Sequence, residues 1–137
     1  MPKMIFVNLP VVNLEKSKAF YEAIGARNNP QFTDETAACM VFSDTIHVML
    51  LTHDKWRGFT SKAIPDSHQS SEVALAISSD SRDMVDAMVD TARVNGGKAD
   101  VNPAQDHGFM YTRSFEDPDG HIWEPVWMDM SAVPARA

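Results

Sequence analysis

Two glutamates stand where a carboxylate could do chemistry. Glu124 lies between Trp123 and Pro125 in the otherwise apolar run Gly120 to Met128, and a carboxylate in such a strand is costly unless it is paired, bound or turned to solvent. Glu72 opens the strand-like run EVALAI. If both face one cavity, they form an acidic pair able to hold a cation or share a proton. The plainer alternatives are a structural ion network for Glu124 and a solvated strand end for Glu72. The five histidines form no motif: His47 and His53 sit at opposite ends of IHVMLLTH, about 20 Å apart along a strand, and cannot share an ion. His53 or His121 alone could complete a site, or each is a partly exposed structural imidazole. The lone Cys39, inside AACMVF, reads as a small buried hydrophobe, since no Cys-His spacing supports a nucleophile.

Aromatic residues and one arginine supply the other candidates. Trp56 and Phe59 stand isolated in a polar stretch and could close over an aromatic ligand. Trp123 and Trp127 share strand parity with each other and oppose Glu124, so if Glu124 faces a cavity they face away, toward a helix or a second subunit. Arg113 shares a strand with Tyr111 and either balances Glu124 across the sheet or holds an anionic substrate.

The elements that must carry these residues repeat. Met4 to Val12 is a β-branched apolar strand, and Asn13 then caps a helix in which Leu14, Phe20, Tyr21 and Ile24 recur at helical spacing before Gly25 stops it. A short strand falls between Ala26 and Thr33, and Ala37 to Phe42 and Ile46 to Thr52 form two more, joined by Ser43-Asp44-Thr45. From His53 to Ser71 the periodicity breaks, which marks a long connection. Glu72 to Ile77 is again a strand, followed by a helix with Met84, Met88 and Ala92 four apart, stopped by Gly96-Gly97. Gly108 to Phe115 and Gly120 to Met128 close the chain as strands, joined by the turn Asp117-Pro118-Asp119-Gly120. One pattern of strand, helix and further strands is thus used twice.

Composition narrows the function classes. Twelve Lys+Arg against nineteen Asp+Glu give a net charge of −7 over 137 residues, and the basic residues form no run, so the footprint of a nucleic-acid binder is missing. The N-terminal stretch offers neither a signal h-region nor a membrane span. A single cysteine excludes a disulfide framework and suits a reducing, cytoplasmic compartment.

With VNLPVVNLEKSKAFYEAIGA at the start and SFEDPDGHIWEPVW at the end, the doubled pattern resembles the vicinal oxygen chelate superfamily, which holds glyoxalase I, extradiol dioxygenases, and fosfomycin- and bleomycin-resistance proteins. The resemblance covers nearly the whole chain. It implies an α+β fold of two tandem βαβββ modules forming a cupped mixed sheet. The whole of 1–137 is then one domain, with module one at about 1–54, a linker at about 55–70, module two at about 71–130 and a tail at 131–137.

Metal enzymes of the superfamily place ligands on the first and last strands of each module, where alternate side chains converge on one ion. The resemblance puts those positions at Phe6, Leu50 or Leu51, Glu72 and Glu124, so the ligand set is altered; Asn8 is the nearest polar residue sharing Phe6's parity. It implies a divalent metal (Fe, Mn, Ni or Zn) on Glu72 and Glu124, a set that His53 or His121 could complete. Such a metal would act as Lewis acid in a lyase or dioxygenase while Glu124 moves a proton. Asn8, Trp56, Tyr111 and Arg113 are the expected ligand-binding residues, small molecules the expected partners, and a homodimer the expected assembly. The alternative is a metal-free protein that sequesters an aromatic or cationic, antibiotic-like molecule, as bleomycin-resistance proteins do.

Overall fold

In the first of two units, Met1–Ser70, the apolar alternation of the N-terminal run produces β1 (Ile5–Val11) and the cap at Asn13 starts α1 (Leu14–Ala23). The structure is a computed structural model and describes residues 2–134. The Asn13 side chain accepts from the Lys16 amide at 3.0 Å, satisfying one of the donors that open every helix. Gly25 ends the helix at φ 115°, a left-handed conformation that a side chain would strain. Three strands follow: β2 (Arg27–Asn29), β3 (Ala37–Val41) and β4 (Ile46–Thr52). They order as β1-β4-β3-β2, with β1 and β4 parallel and the other neighbours antiparallel.

Register decides what each face carries. Leu9 pairs with Leu50 and Leu50 with Ala38, and this face, with Val11 and Val48, is fully buried. Helix α1 covers it through Leu14, Phe20 and Tyr21. Asn8, Met49 and Leu51 therefore point to the opposite face. The connection expected after β4 is not all loop: Thr52 accepts from the Lys55 amide at 3.2 Å and caps the five-residue helix α2 (His53–Arg57).

The second unit, Ser71–Ala137, repeats the order. Its first strand, β5 (Ala74–Ser78), starts two residues later than the sequence suggests, because β10 pairs with it only from Ala74 onward; Glu72 lies outside it. Helix α3 (Arg82–Val94) buries Val85, Val89 and Ala92, while Met84 is 52% exposed, so the apolar face is turned one residue from the Met84/Met88 line. Next come β6 (Lys98–Ala99), β7 (Gln105–Asp106), β8 (Met110–Thr112), β9 (Phe115–Glu116) and β10 (Ile122–Met128). The strand expected over 108–115 is split into β8 and β9, both paired with β10. The break falls where Arg113 stands opposite Pro125, which accepts from the Arg113 amide at 3.4 Å but has no N–H to return the bond; beside it the Ser114 hydroxyl accepts from the Asn102 amide at 2.8 Å and donates to the Asn102 carbonyl at 3.2 Å. The Asp117-Pro118-Asp119-Gly120 turn is held from within. The buried Asp117 carboxylate accepts from the amides of Asp119 and His121 at 3.0 and 2.8 Å, and Gly120 takes φ 91°. Of the expected tail, Met130–Ala132 form a 3-10 turn, and residues 135–137 lie outside the described residues.

Candidate functional site

The face of the first sheet turned away from α1 forms one wall of a cavity of about 370 Å³, within the size range of small-molecule sites. Asn8 of β1, Ala37 of β3, and Met49 and Leu51 of β4 supply that wall, which alternation along three paired strands brings together. Because Thr52 caps α2 immediately after β4, the chain turns over this face and supplies the other wall through Lys55, Trp56, Phe59 and Thr60. The Lys55 ammonium stands 5.6 Å from the centroid of the Phe59 ring, a cation–π contact. The ambiguity between Leu50 and Leu51 is resolved: Leu51 lines the cavity, and Leu50 is buried on the α1 face.

Two residues from Asn8 on the same strand face, Phe6 stacks on its strand partner His47 at 4.6 Å with the rings 17° apart. The His47 Nε2 lies 3.2 Å from the Asp44 carbonyl, to which it can donate; Nδ1 is buried without a partner among the described residues. A ring stack thus occupies the place where the resemblance puts a metal ligand. His53 opens α2 and is half-buried there.

The second unit separates Glu124 from the residues expected beside it. Trp123 and Pro125 are buried on the face covered by α3, and Trp127 shares their parity; Glu124, opposite Ala76, points to the other face. Glu124 is half-buried, and its carboxylate has no hydrogen-bond or ion-pair partner among the described residues. Glu72 is exposed. His121 stands just ahead of β10, its amide committed to Asp117.

Tyr111 and Arg113 lie on the α3 side, where both are engaged by acids, and their placement lends the ligand-binding expectation no support. The Tyr111 hydroxyl donates to Asp86 at 2.6 Å, which raises the phenol and helps hold the carboxylate below its ordinary range. Arg113 donates to Asp100 at 2.8 and 3.0 Å and to Asp86 at 3.0 Å, and reaches Asp90 at 3.4 Å. These contacts lower Asp100 and raise the already high guanidinium. Arg82, at the start of α3, lies 5.1 and 5.0 Å from the Tyr111 and Trp127 ring centroids. Its fork grips Asp106 at 2.7 and 2.8 Å and holds that carboxyl far below the usual range.

Sequence reasoning missed Lys55 and Thr60 of the cavity and the three aspartates around Arg113. The signal for α2 was Thr52 followed by Asp54, a capping residue with an acid in the first turn. The signal for the acidic cluster was Asp86 and Asp90 four apart on α3.

The donor set does not fit a metal well. Phe6 and Leu51 offer only carbon, and among the described residues no group of three or more His, Cys, Asp or Glu side chains is arranged to hold an ion. Three or four such donors are what a divalent ion requires of a protein site. Among the described residues, no helix is long and apolar enough to cross a membrane.

Comparison with known proteins agrees with this architecture. A hypothetical protein from S. aureus is 25% identical with a TM-score of 0.76, over 93% of this chain and 95% of that one. A glyoxalase-related enzyme from Fulvimarina pelagi has the same TM-score at 21% identity, over 100% of this chain and 94% of its own. The fosfomycin resistance protein FosX from Listeria monocytogenes superposes with a TM-score of 0.67 at 17% identity, over 96% and 97%. The last two likenesses are of fold. No curated protein matches the sequence. The profile of one family matches residues 3–124, well over half of the chain, and the chain accordingly belongs to the Glyoxalase/Bleomycin resistance protein/Dioxygenase superfamily.

Proposed function

We propose that the protein binds a small, largely apolar molecule in the cavity of its first unit without the help of a metal. One observation carries this reading: the cavity is walled by Met49, Leu51, Trp56 and Phe59, with Asn8 and Thr60 as its neutral polar groups, while the two first-unit strand positions at which the resemblance expects metal ligands carry Phe6 and Leu51. A concave apolar surface with a few polar groups is what a small-molecule site requires. The homodimer belongs to the same proposal, supported by the exposed apolar residues Ile5 and Phe6 on the edge strand β1. The reducing compartment does too, supported by a free, buried Cys39. The test is titration of chelator-treated protein with phenylnaphthylamine, followed by tryptophan quenching. Saturable binding is expected, and Leu51→Trp, which fills the cavity, should weaken it by about tenfold or more. Binding indifferent to that substitution would defeat the reading.

A second reading, a divalent-metal lyase or dioxygenase with Glu124 as ligand and proton carrier, is favoured by one feature: a partly exposed carboxylate, unpaired among the described residues, stands on the sheet face turned away from α3. Metal content by mass spectrometry on protein purified without chelators separates the two. The metal-free reading expects sub-stoichiometric Fe, Mn, Ni and Zn that Glu124→Ala does not change. Near-stoichiometric metal lost in that variant would replace it with the metal-enzyme reading.

A further inference from the structure

We propose that the first-unit cavity selects an aromatic guest carrying one negatively charged group, and that Lys55 is the residue that reads that charge. The inference rests on the cavity being the binding site. Among its lining residues Lys55 is the one with a formal charge, and that charge is positive. Its ammonium stands over the Phe59 ring, so the aromatic wall and the cation form one continuous surface, suited to a flat ring with an anionic substituent. Asp34 feels the field of Lys55 and keeps its negative charge, since the donors its Oδ1 accepts from, the Thr36 amide and hydroxyl at 2.7 Å each and the Ala37 amide at 3.0 Å, are neutral. No ion pair joins Asp34 to Lys55 among the described residues. The ammonium thus has no direct ion-pair partner among the described residues, and an anion entering the cavity can supply one.

The net charge of −7 taken alone favours a cationic guest. Local charge outweighs it, because exposed charges farther than about 8–10 Å are largely screened at physiological salt, whereas a guest in the cavity meets Lys55 directly. A cationic guest would bring like charge against the ammonium. Trp56 and Phe59 supply ring contact whichever charge the guest carries.

Two dyes test this on the full chain. Anilinonaphthalene sulfonate and phenylnaphthylamine share one aromatic body and differ by a sulfonate. Fluorescence titration would give both affinities for the wild type and for Lys55→Met, Lys55→Arg and Leu51→Trp. The sulfonate dye is expected to bind the wild type about tenfold more tightly than the neutral one, the scale of one partly screened charge contact. Lys55→Met should abolish that preference by weakening the sulfonate dye alone, and Lys55→Arg should retain it. Equal affinities in the wild type, or a Lys55→Met effect equal on both dyes, would overturn charge selection while leaving the cavity reading intact, provided Leu51→Trp weakens both dyes. If Leu51→Trp weakens neither, the cavity reading fails and the charge selection falls with it.

Discussion

Phe20→Ala is expected to cost about 3–5 kcal/mol of stability, the range for emptying a fully buried aromatic site. Phe20 is 1% exposed and packs edge-on against Tyr21, itself fully buried, where α1 covers the sheet face carrying Leu50 and Val48. That loss is a large share of the 5–15 kcal/mol that holds an ordinary domain together. Phe6→Ala provides the contrast, since Phe6 is 52% exposed on the other side of the same sheet, and it should cost less than about 1 kcal/mol. Urea unfolding followed by far-UV circular dichroism would measure both. Comparable losses would mean that the faces of β1 have been assigned the wrong way round, and the cavity wall with them.

Much of the fold around that face was available from the sequence. Asn13 before a helical repeat and Gly25 after it marked α1 because cap and stop are local chemistry, fixed by a side-chain oxygen and a positive φ. Local chemistry also explains the Asp117 turn, whose carboxylate bonds amides two and four residues ahead. Strand parity set Trp123 and Trp127 against Glu124, and the structure has Trp123 on the α3 side, Trp127 under Arg82 and Glu124 opposite them. Features fixed by distant partners were not legible. The break between β8 and β9 depends on the register that sets Arg113 opposite Pro125, and β5 begins at Ala74 because β10 does not pair with Glu72. Helix α2 spans five residues, too few for a periodic signal, and with it Lys55 was lost from view.

The candidate site shows the same division. Asn8 could be named from parity and Trp56 from its isolation in a polar stretch, and both line the cavity. Parity could say that Tyr111 and Arg113 share a face, but not that Asp86, twenty-five and twenty-seven residues away, occupies it. An arginine free in the sequence reads as an anion binder; one surrounded by three aspartates has no charge to spare. The charge selection proposed above therefore rests on the first unit, where no ion pair engages Lys55 among the described residues.

Arg113→Met should cost about 2–3 kcal/mol at neutral pH, less than the 3–5 of a fully buried pair because the three aspartates remain exposed to solvent. The Arg113 side chain is 15% exposed, while those of Asp86, Asp90 and Asp100 are 44%, 57% and 46%. Without the guanidinium these carboxylates face one another unpaired. Asp86, held down by the Tyr111 hydroxyl and by Arg113, and Asp100, held down by Arg113, both have folded-state values below the ordinary carboxylate. Groups shifted in that direction stabilise the fold above their unfolded value, near 3.9 for aspartate, and lose the contribution as pH falls through the folded value. In the variant, acid also protonates the clustered carboxylates and removes their mutual repulsion. The stability gap between wild type and Arg113→Met should thus be widest near pH 7 and narrow steadily below about pH 4. Urea titrations across that range would measure it. A gap that stays constant from neutral to acid would mean that Arg113 contributes through the packing of its stem over α3 and not through its charge.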